Sequence, residues 1–464
     1  MRHVLRSATT AAAVGSLLLL TGCSTVVSGN ASAADPVTDV SAEEFPITGA
    51  TDSDVDRRAR NALADLNTFW GQAYPEFYGG DLIPLQGGYF SVDADDIDER
   101  LYPPTGVGCP GLPISPVEVE SNAFYQQFCD VIVYDSSLLE DLGEQHGPFL
   151  GPAVMAHEFG HAMQGRFGFS EVTIRDETQA DCFAGAFTRW VVDGNAEHVA
   201  LRESDLDDVL VGFIELRDPV GQTDETVEGA HGSGFDRVSG FFAGYTGGVG
   251  TCRDEFGPDR IFTAAAFESS REAANEGNAD YEEIGEIVDS SLPLFYDSWF
   301  PQVAGEAFQA PAIAGFDGTA PDCGDLGSED RDLGFCESDA TVYADETDLL
   351  VPAYEELGDF AVATALSLPY AQAARAQLGL SIDDSAATVS TVCLTGWYTA
   401  RFFSGDFSDT TELSPGDVDE AILFLLAYGR TESVLPNVEA SGFELVGAFR
   451  DGFLRGGTAC DLGF

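Results

Sequence analysis

Segments of the first half of the chain return, in the same order, in the second, and this restricts the fold more than any other feature. "CFAGAFTRWV" at Cys182 reappears as "CLTGWYTARF" at Cys393. "ESDLDDVLVGF" at Glu203 has its counterpart in "SPGDVDEAILF" at Ser414. "SGFDRVSGFFAGYTGGVGTC", ending at Cys252, matches "SGFELVGAFRDGFLRGGTAC", ending at Cys460. A weaker echo links "FWGQAYPEFYGG" at Phe69 with "FYDSWFPQVAGE" at Phe295. Self-similarity in a fixed order marks a repeated structural unit. The expected organisation is two copies of one fold, residues 53–255 and 280–464, joined by an acidic linker over 256–279.

The repeat also sorts the cysteines. Cys23 stands apart near the N-terminus, leaving eight others, and eight cysteines allow about 105 connectivities. Equivalent positions should make equivalent bonds. Cys182–Cys252 is then the partner of Cys393–Cys460, and Cys109–Cys129 of Cys323–Cys336. A bridge closing a loop of some seventy residues contributes about 4 kcal/mol in the chain-entropy description.

Residues 1–22 have the form of an export signal: Arg2 and Arg6, the apolar run "AAAVGSLLLL", then "LTGC" ending at Cys23. The last four residues resemble the bacterial lipobox, which implies cleavage before Cys23 and a lipid on its sulfur. The expectation is an exported protein, lipid-anchored through Cys23 on the outer face of the bacterial cytoplasmic membrane, with residues 23–52 as a flexible tether. No later run is apolar enough to span a bilayer. The formal charge is −58, from 79 acids against 21 arginines and no lysine. Such a chain is repelled by nucleic acid and by anionic lipid surfaces. The acids are spread along the sequence, which fits solubility in a salty medium better than a polyacidic binding tail.

Periodicity predicts mainly helix. Ala59, Leu63, Leu66 and Trp70 recur at helical spacing, as do the apolar residues of "AVMAHEFGHAMQ" and "QADCFAGAFTRWVV". "NAFYQQF" (122–128) and "VIVYD" (131–135) have strand composition. The fold class read from these elements is α+β, mainly helical, with helices packed on a small sheet in each copy.

Within the first helical run, His157 and His161 lie four residues apart and so only about 40° apart around the axis. Both imidazoles can reach one ion, and zinc favours such ligands. Glu158, about 100° away, can lean over the metal without ligating it, as a base for water. A third protein ligand is needed, and "ETQADC" follows sixteen residues after His161. On a helix, Glu177 and Asp181 share a face. Glu177 is the expected ligand, and Asp181 the acceptor that fixes a ligand histidine by its Nδ1–H.

"HEFGH" followed by "ETQADCFAG" resembles the neutral zinc metallopeptidases of bacteria, within the gluzincin-like HExxH group; "HGSGFDR" at His231 and Cys252 extend the likeness across roughly residues 55–255. The resemblance implies a fold of two tandem zincin-like units, one Zn2+ per chain held by His157, His161 and Glu177, and Glu158 as catalytic base for peptide-bond hydrolysis. His231 is the candidate donor to the oxyanion, with Arg237 about one and a half helical turns beyond. Asn122 to Tyr125 is a candidate edge against which a peptide or protein substrate pairs. His146 and His198 have no metal-ligand spacing and read as surface or structural residues.

The second copy is an internal control. Aligned on Gly168/Gly379 and Cys182/Cys393, His157 falls on Leu368, Glu158 on Pro369, His161 on Gln372, Glu177 on Thr388 and Asp181 on Val392. His231 falls on Glu439 and Arg237 on Leu445. Every candidate site residue is replaced, so the second copy is expected to be metal-free. The rival reading is a non-enzymatic envelope scaffold or adaptor that keeps a structural or vestigial zinc.

Overall fold

The computed structural model describes residues 37–223, 227, 229–407 and 412–463. The export signal, Cys23 and the first part of the expected tether lie outside the described residues. The rest of that segment, 37–52, is not a tether. Thr48 exchanges backbone hydrogen bonds with Tyr89 and Ser91, and Thr38 N–H donates to Glu197 O. Ile47 is buried. Two apolar residues in polar surroundings, Phe45 and Ile47, dock the segment on the first half.

Helix α1 (Asp54–Phe77) starts at Ser53, whose side chain accepts the Asp56 N–H. Its stripe of Ala59, Leu63, Leu66 and Trp70 is buried, as the spacing predicts. Asp56, in its first turn, accepts from Ser91 Oγ at 2.6 Å and Tyr134 OH at 2.8 Å and so ties the helix to the sheet. That sheet has β1 (Gly88–Val92), β2 (Ala123–Gln126) and β3 (Val131–Asp135) in the order β1–β3–β2. β1 runs parallel to β3 from Gly88/Val131 to Val92/Asp135, and β2 runs antiparallel to it from Ala123/Tyr134 to Gln126/Val131. All of β3 is buried, which suits its unbroken apolar run. Helices α2 (Ser136–His146), α3 (Leu150–Phe167), α4 (Thr173–Val192), α5 (Leu206–Glu215) and α6 (Gly234–Asp254) follow.

The second half runs through a matching series. Helix α7 (Tyr281–Ala304) precedes β4 (Ala312–Phe316), β5 (Leu333–Cys336) and β6 (Thr341–Asp345), ordered β4–β6–β5. Again the first strand is parallel and the second antiparallel to the third. A π-helical turn (Glu346–Leu350), α8 (Val351–Glu356), α9 (Asp359–Gln377), α10 (Ser385–Phe403), α11 (Asp417–Ala427) and α12 (Gly442–Arg455) complete it. The molecule is therefore mixed α and β, mainly helical with small sheets.

The four expected disulfides are present: Cys109–Cys129, Cys182–Cys252, Cys323–Cys336 and Cys393–Cys460. The second bridges α4 to α6, and glycines let those helices touch. A Cβ on Gly185 would lie 2.0 Å from Phe241 O, and one on Gly244 1.7 Å from Cys182 O. In the second half, Gly396 and Gly452 make the same approach to Phe449 O and Cys393 O, at 2.0 and 1.9 Å.

The halves share one continuous hydrophobic core. Phe242 stacks on Phe443 with centroids 4.1 Å apart, and Phe235 packs on Phe453. Around this contact the halves cap one another. Asp419 accepts the Gly234 and Phe235 N–H groups at the start of α6. Asp207 accepts those of Gly442 and Phe443 at the start of α12. Arg217 pairs with Asp419 and Arg430 with Asp207, so the arrangement is reciprocal.

The expected acidic linker, 256–279, is not a free connection. Its first part folds back on the first half, where Phe262 is buried, Thr263 and Ala264 donate to Asp236, and Phe267 N–H donates to Gly221 O. Its end meets the second half, where Ala279 N–H donates to Asp359 and Asn278 Oδ1 accepts the Asp359 N–H. Aromatic and β-branched residues among its acids, Phe262, Thr263 and Phe267, hold the first part in place.

Candidate metal centre

His157, Glu158 and His161 lie in the middle of α3, which is buried nearly all round. Glu177 lies in the second turn of α4. Gly160 brings the two helices together, since a Cβ there would lie 3.0 Å from Ala180 Cα. The result is a cluster of His157, His161 and Glu177. His157 Nε2 and His161 Nε2 are 3.1 Å apart. Glu177 Oε2 is 3.2 Å from His157 Nε2, and Glu177 Oε1 is 3.4 Å from His161 Nε2. Ligand atoms about 2.0–2.1 Å from a tetrahedral zinc sit roughly 3.3 Å from one another. Two nitrogens and a carboxylate oxygen with those separations fit a zinc ion.

Each imidazole turns its Nε2 inward because its Nδ1 is held from behind. His157 Nδ1 is 2.7 Å from Asp181 Oδ1. His161 Nδ1 is 2.7 Å from Gln164 Oε1. Both acceptors call for the Nδ1–H tautomer, which leaves the Nε2 lone pair free for a metal. Gln164 is fixed in turn by donating to Asp176 O at 2.7 Å and Gln179 Oε1 at 3.0 Å. Sequence reasoning missed Gln164; its signal was the three-residue spacing after His161, one turn along the same face.

Arg237 takes a different part from the one expected. It lines the cleft wall beside the donor candidate, but its guanidinium binds Asp181 with two nitrogens, at 2.9 and 3.1 Å. It also donates to Leu216 O. A buried aspartate needs such a partner to stay ionised. Arg237 thus acts through Asp181 on His157, from α6 to α4 to α3, and is a positioning residue.

The charges are strongly coupled. Burial alone would lower His157, but Asp181 and Glu177 outweigh it and raise it to about 10. Burial opposes ionisation of Glu177, yet His161 and His157 hold it well below the usual carboxylate range. Burial likewise opposes Asp181, and Arg237 and His157 pull it down. Glu158 goes the other way: burial pushes it up against the pull of both imidazoles and the Tyr125 N–H. A carboxylate raised in this way is a better proton acceptor than an exposed one.

His157, Glu158, His161, Glu177 and Arg237 line a cleft of about 430 Å³ that Ser121 to Tyr125 wall on another side. That wall includes β2, which is an edge strand. Asp130 fixes it to α3, accepting from Tyr125 OH at 2.9 Å and from Arg166 at 3.1 and 3.2 Å. His231 also lines the cleft, half-exposed, with Nδ1 3.0 Å from Asp218 Oδ1. His146 is buried against Glu215 at 2.8 Å and His198 lies against Thr38 O, both away from the cluster.

In the second half the corresponding positions are filled differently. Leu368 and Val392 are fully buried, Pro369 lies inside α9, and Thr388 donates to Pro436 O. Among the described residues no metal-binding group forms at those positions.

No family profile matches the chain, and no solved structure matches it. It is similar to proteins of Mycobacterium bovis and of two strains of Mycobacterium tuberculosis, each named as an uncharacterized protein. The identity is 28% over 178 residues, which is 32% of this chain and 59% of each relative. The chain thus spans little more than half the length of the curated relatives it matches.

Proposed function

We propose that this chain is a zinc-dependent peptidase, built from two tandem zincin-like units of which only the first carries the chemistry. The observation that carries the reading is the triangle of His157 Nε2, His161 Nε2 and Glu177 oxygens, with sides of 3.1 to 3.4 Å. A zinc ion held by these residues supplies Lewis acidity toward a water and a scissile carbonyl. Glu158, on the same helix and lining the same cleft, accepts the proton of the attacking water and passes it to the leaving amine. His231 donates to the developing oxyanion, with Asp218 orienting its ring. The exposed edge of β2 pairs with an extended peptide and lays it across the site. Two tandem units are supported by the repeated order of helices, the equal sheet topologies and the equivalent disulfides. The lipobox-like "LTGC" supports an anchor at Cys23 on the outer face of the cytoplasmic membrane.

The test is cleavage of a denatured protein by the purified chain, with metal analysis alongside. Glu158→Gln keeps about one zinc per chain and loses roughly 10²–10⁴-fold in rate. His161→Ala loses zinc and cleavage together. Wild-type protein that holds zinc and cleaves no peptide overturns the reading in favour of a zinc-bearing scaffold.

A further inference from the structure

A second group of charged side chains lies in the other half, which contains no histidine. Asp359 opens α9, and Asp417 and Glu420 lie three apart at the start of α11. One carboxylate oxygen from each lies within 4.8 Å of those of the other two. Part of this grouping is ordinary helix capping. Asp359 Oδ2 accepts the Ala279 N–H, Asp417 Oδ2 the Ser414 N–H, and Glu420 Oε2 the Phe360 N–H.

Capping uses one oxygen of each residue and leaves the others. Asp417 is only 4% exposed, and its Oδ1 is buried with no hydrogen-bond partner. Asp359 Oδ1 is in the same condition. Glu420 Oε1 is pressed against Gly358 beside Asn278 Oδ1, where a Cβ would lie 2.3 Å from it. Among the described residues no arginine or histidine forms an ion pair with any of the three. The nearby charges that act on Asp417 are Asp359, Glu420 and Glu272, all acids. Buried carboxylate oxygens without a donor or counter-charge cost several kcal/mol. Asp359 and Asp417 open on a cleft of about 230 Å³ that Arg271, Asp280 and Glu283 also line.

The first half does not repeat this arrangement. Aligned on the reciprocal capping pair Asp207 and Asp419, Asp417 falls on Asp205 and Glu420 on Asp208. Asp205 is bound by Arg202, and Asp208 is exposed. The position of Asp359 is Pro148 in the alignment of the repeats. The cluster is therefore a property of the second half and not of the repeated scaffold.

We propose that Asp359, Asp417 and Glu420 form a calcium-binding site that pins residues 278–280 to the starts of α9 and α11. Three carboxylates and no nitrogen or sulfur suit a hard cation. Calcium fits better than magnesium, which keeps most of its waters and is usually held by one or two carboxylates. The proposal is independent of the hydrolase reading.

The purified full chain is titrated with calcium chloride while its thermal unfolding is followed, with binding measured by calorimetry. Magnesium chloride and sodium chloride at equal ionic strength serve as controls, because so acidic a chain gains from screening alone. Calcium is expected to bind once per chain at this site and to raise the midpoint by roughly 5 °C at saturation. Asp417→Asn abolishes both effects. In calcium-free buffer this variant melts above the wild type, because a repelling charge is gone, and the order reverses with calcium. Glu420→Gln serves as the second variant, and terbium luminescence on the wild type needs no variant at all. Overturning results are a wild type that binds no calcium at this site, a shift that sodium or magnesium reproduces, or a full calcium response in both variants.

Discussion

Among the described residues, two groups bring three metal-ligating atoms together, and each half has one. The first draws two imidazoles and a carboxylate from the middle of α3 and the second turn of α4. The second draws three carboxylates from the first turns of α9 and α11. The two do not sit at equivalent places. Where the first half has His157 and Asp181, the second has Leu368 and Val392 in dry core. Where the second half has Asp359, Asp417 and Glu420, the first has a proline and two solvated aspartates. The difference teaches that matching elements and matching disulfides leave the donor chemistry free. A handful of side chains decides whether a helix pair presents imidazoles with a carboxylate, carboxylates alone, or hydrocarbon.

The sharpest way to break this comparison is to give the first half a residue of the second. Arg237→Leu, which copies Leu445, strips Asp181 of its guanidinium. It is expected to cost about 3–5 kcal/mol in denaturant unfolding, the range for breaking a buried ion pair. It should also weaken zinc about 10–100-fold through the loosened His157. Zinc affinity equal to wild type would show that Asp181 holds His157 unaided. Next come the disulfides. Replacing Cys182 and Cys252 by serine, or Cys393 and Cys460, is expected to cost a similar amount, up to about 4 kcal/mol for loops of this length. Only the first pair should also lower zinc affinity, because only it clamps α4, with Glu177 and Asp181, to α6. Equal zinc loss in both variants would mean that the halves are coupled more tightly than this comparison allows.

Smaller effects sharpen it further. Gly160→Ala forces a methyl against Ala180 and is expected to cost about 1–3 kcal/mol, with zinc weakened as α3 and α4 part. The equivalent residue is Ala371, so Ala371→Gly should cost only about 1 kcal/mol and leave zinc unchanged. Last is pH. His157 is held at about 10 by Asp181 and Glu177 against burial, and His161 is raised by Glu177 against burial, so protons compete with a metal for these imidazoles. Zinc must displace those protons. Occupancy measured by metal analysis should therefore fall as pH drops from about 7 to about 5. Flat occupancy to about pH 4 would speak against a two-histidine site.

The sequence made some of this legible for clear physical reasons. A 3.6-residue period reports burial on one helix face, so α1, α3 and α4 and their inward residues could be read directly. His157, His161, Glu177 and Asp181 were readable because each pair shares a helix, where spacing fixes direction. The disulfides were readable because the repeat supplied two views of one pairing. What escaped depends on contacts between distant elements. Arg237 reaches Asp181 from another helix, and no local spacing records that. Strand β1, "GYFSV", carries too few residues for a period, and its parallel partner lies over forty residues on. The docking of 37–52 and 256–279 was hidden by polar composition, since one or two apolar side chains suffice to hold a segment.

The reciprocal caps have a consequence for how the molecule comes apart. Each half finishes a helix that begins in the other, through Asp207 and Asp419. Pulling the halves apart would strand donors at two helix starts and bare the Phe242–Phe443 stack at the same moment. Neither half can then melt by itself at low cost, and a calorimeter should record one transition where a bead-on-a-string arrangement would give two. A nick between the halves would leave the fragments clinging together.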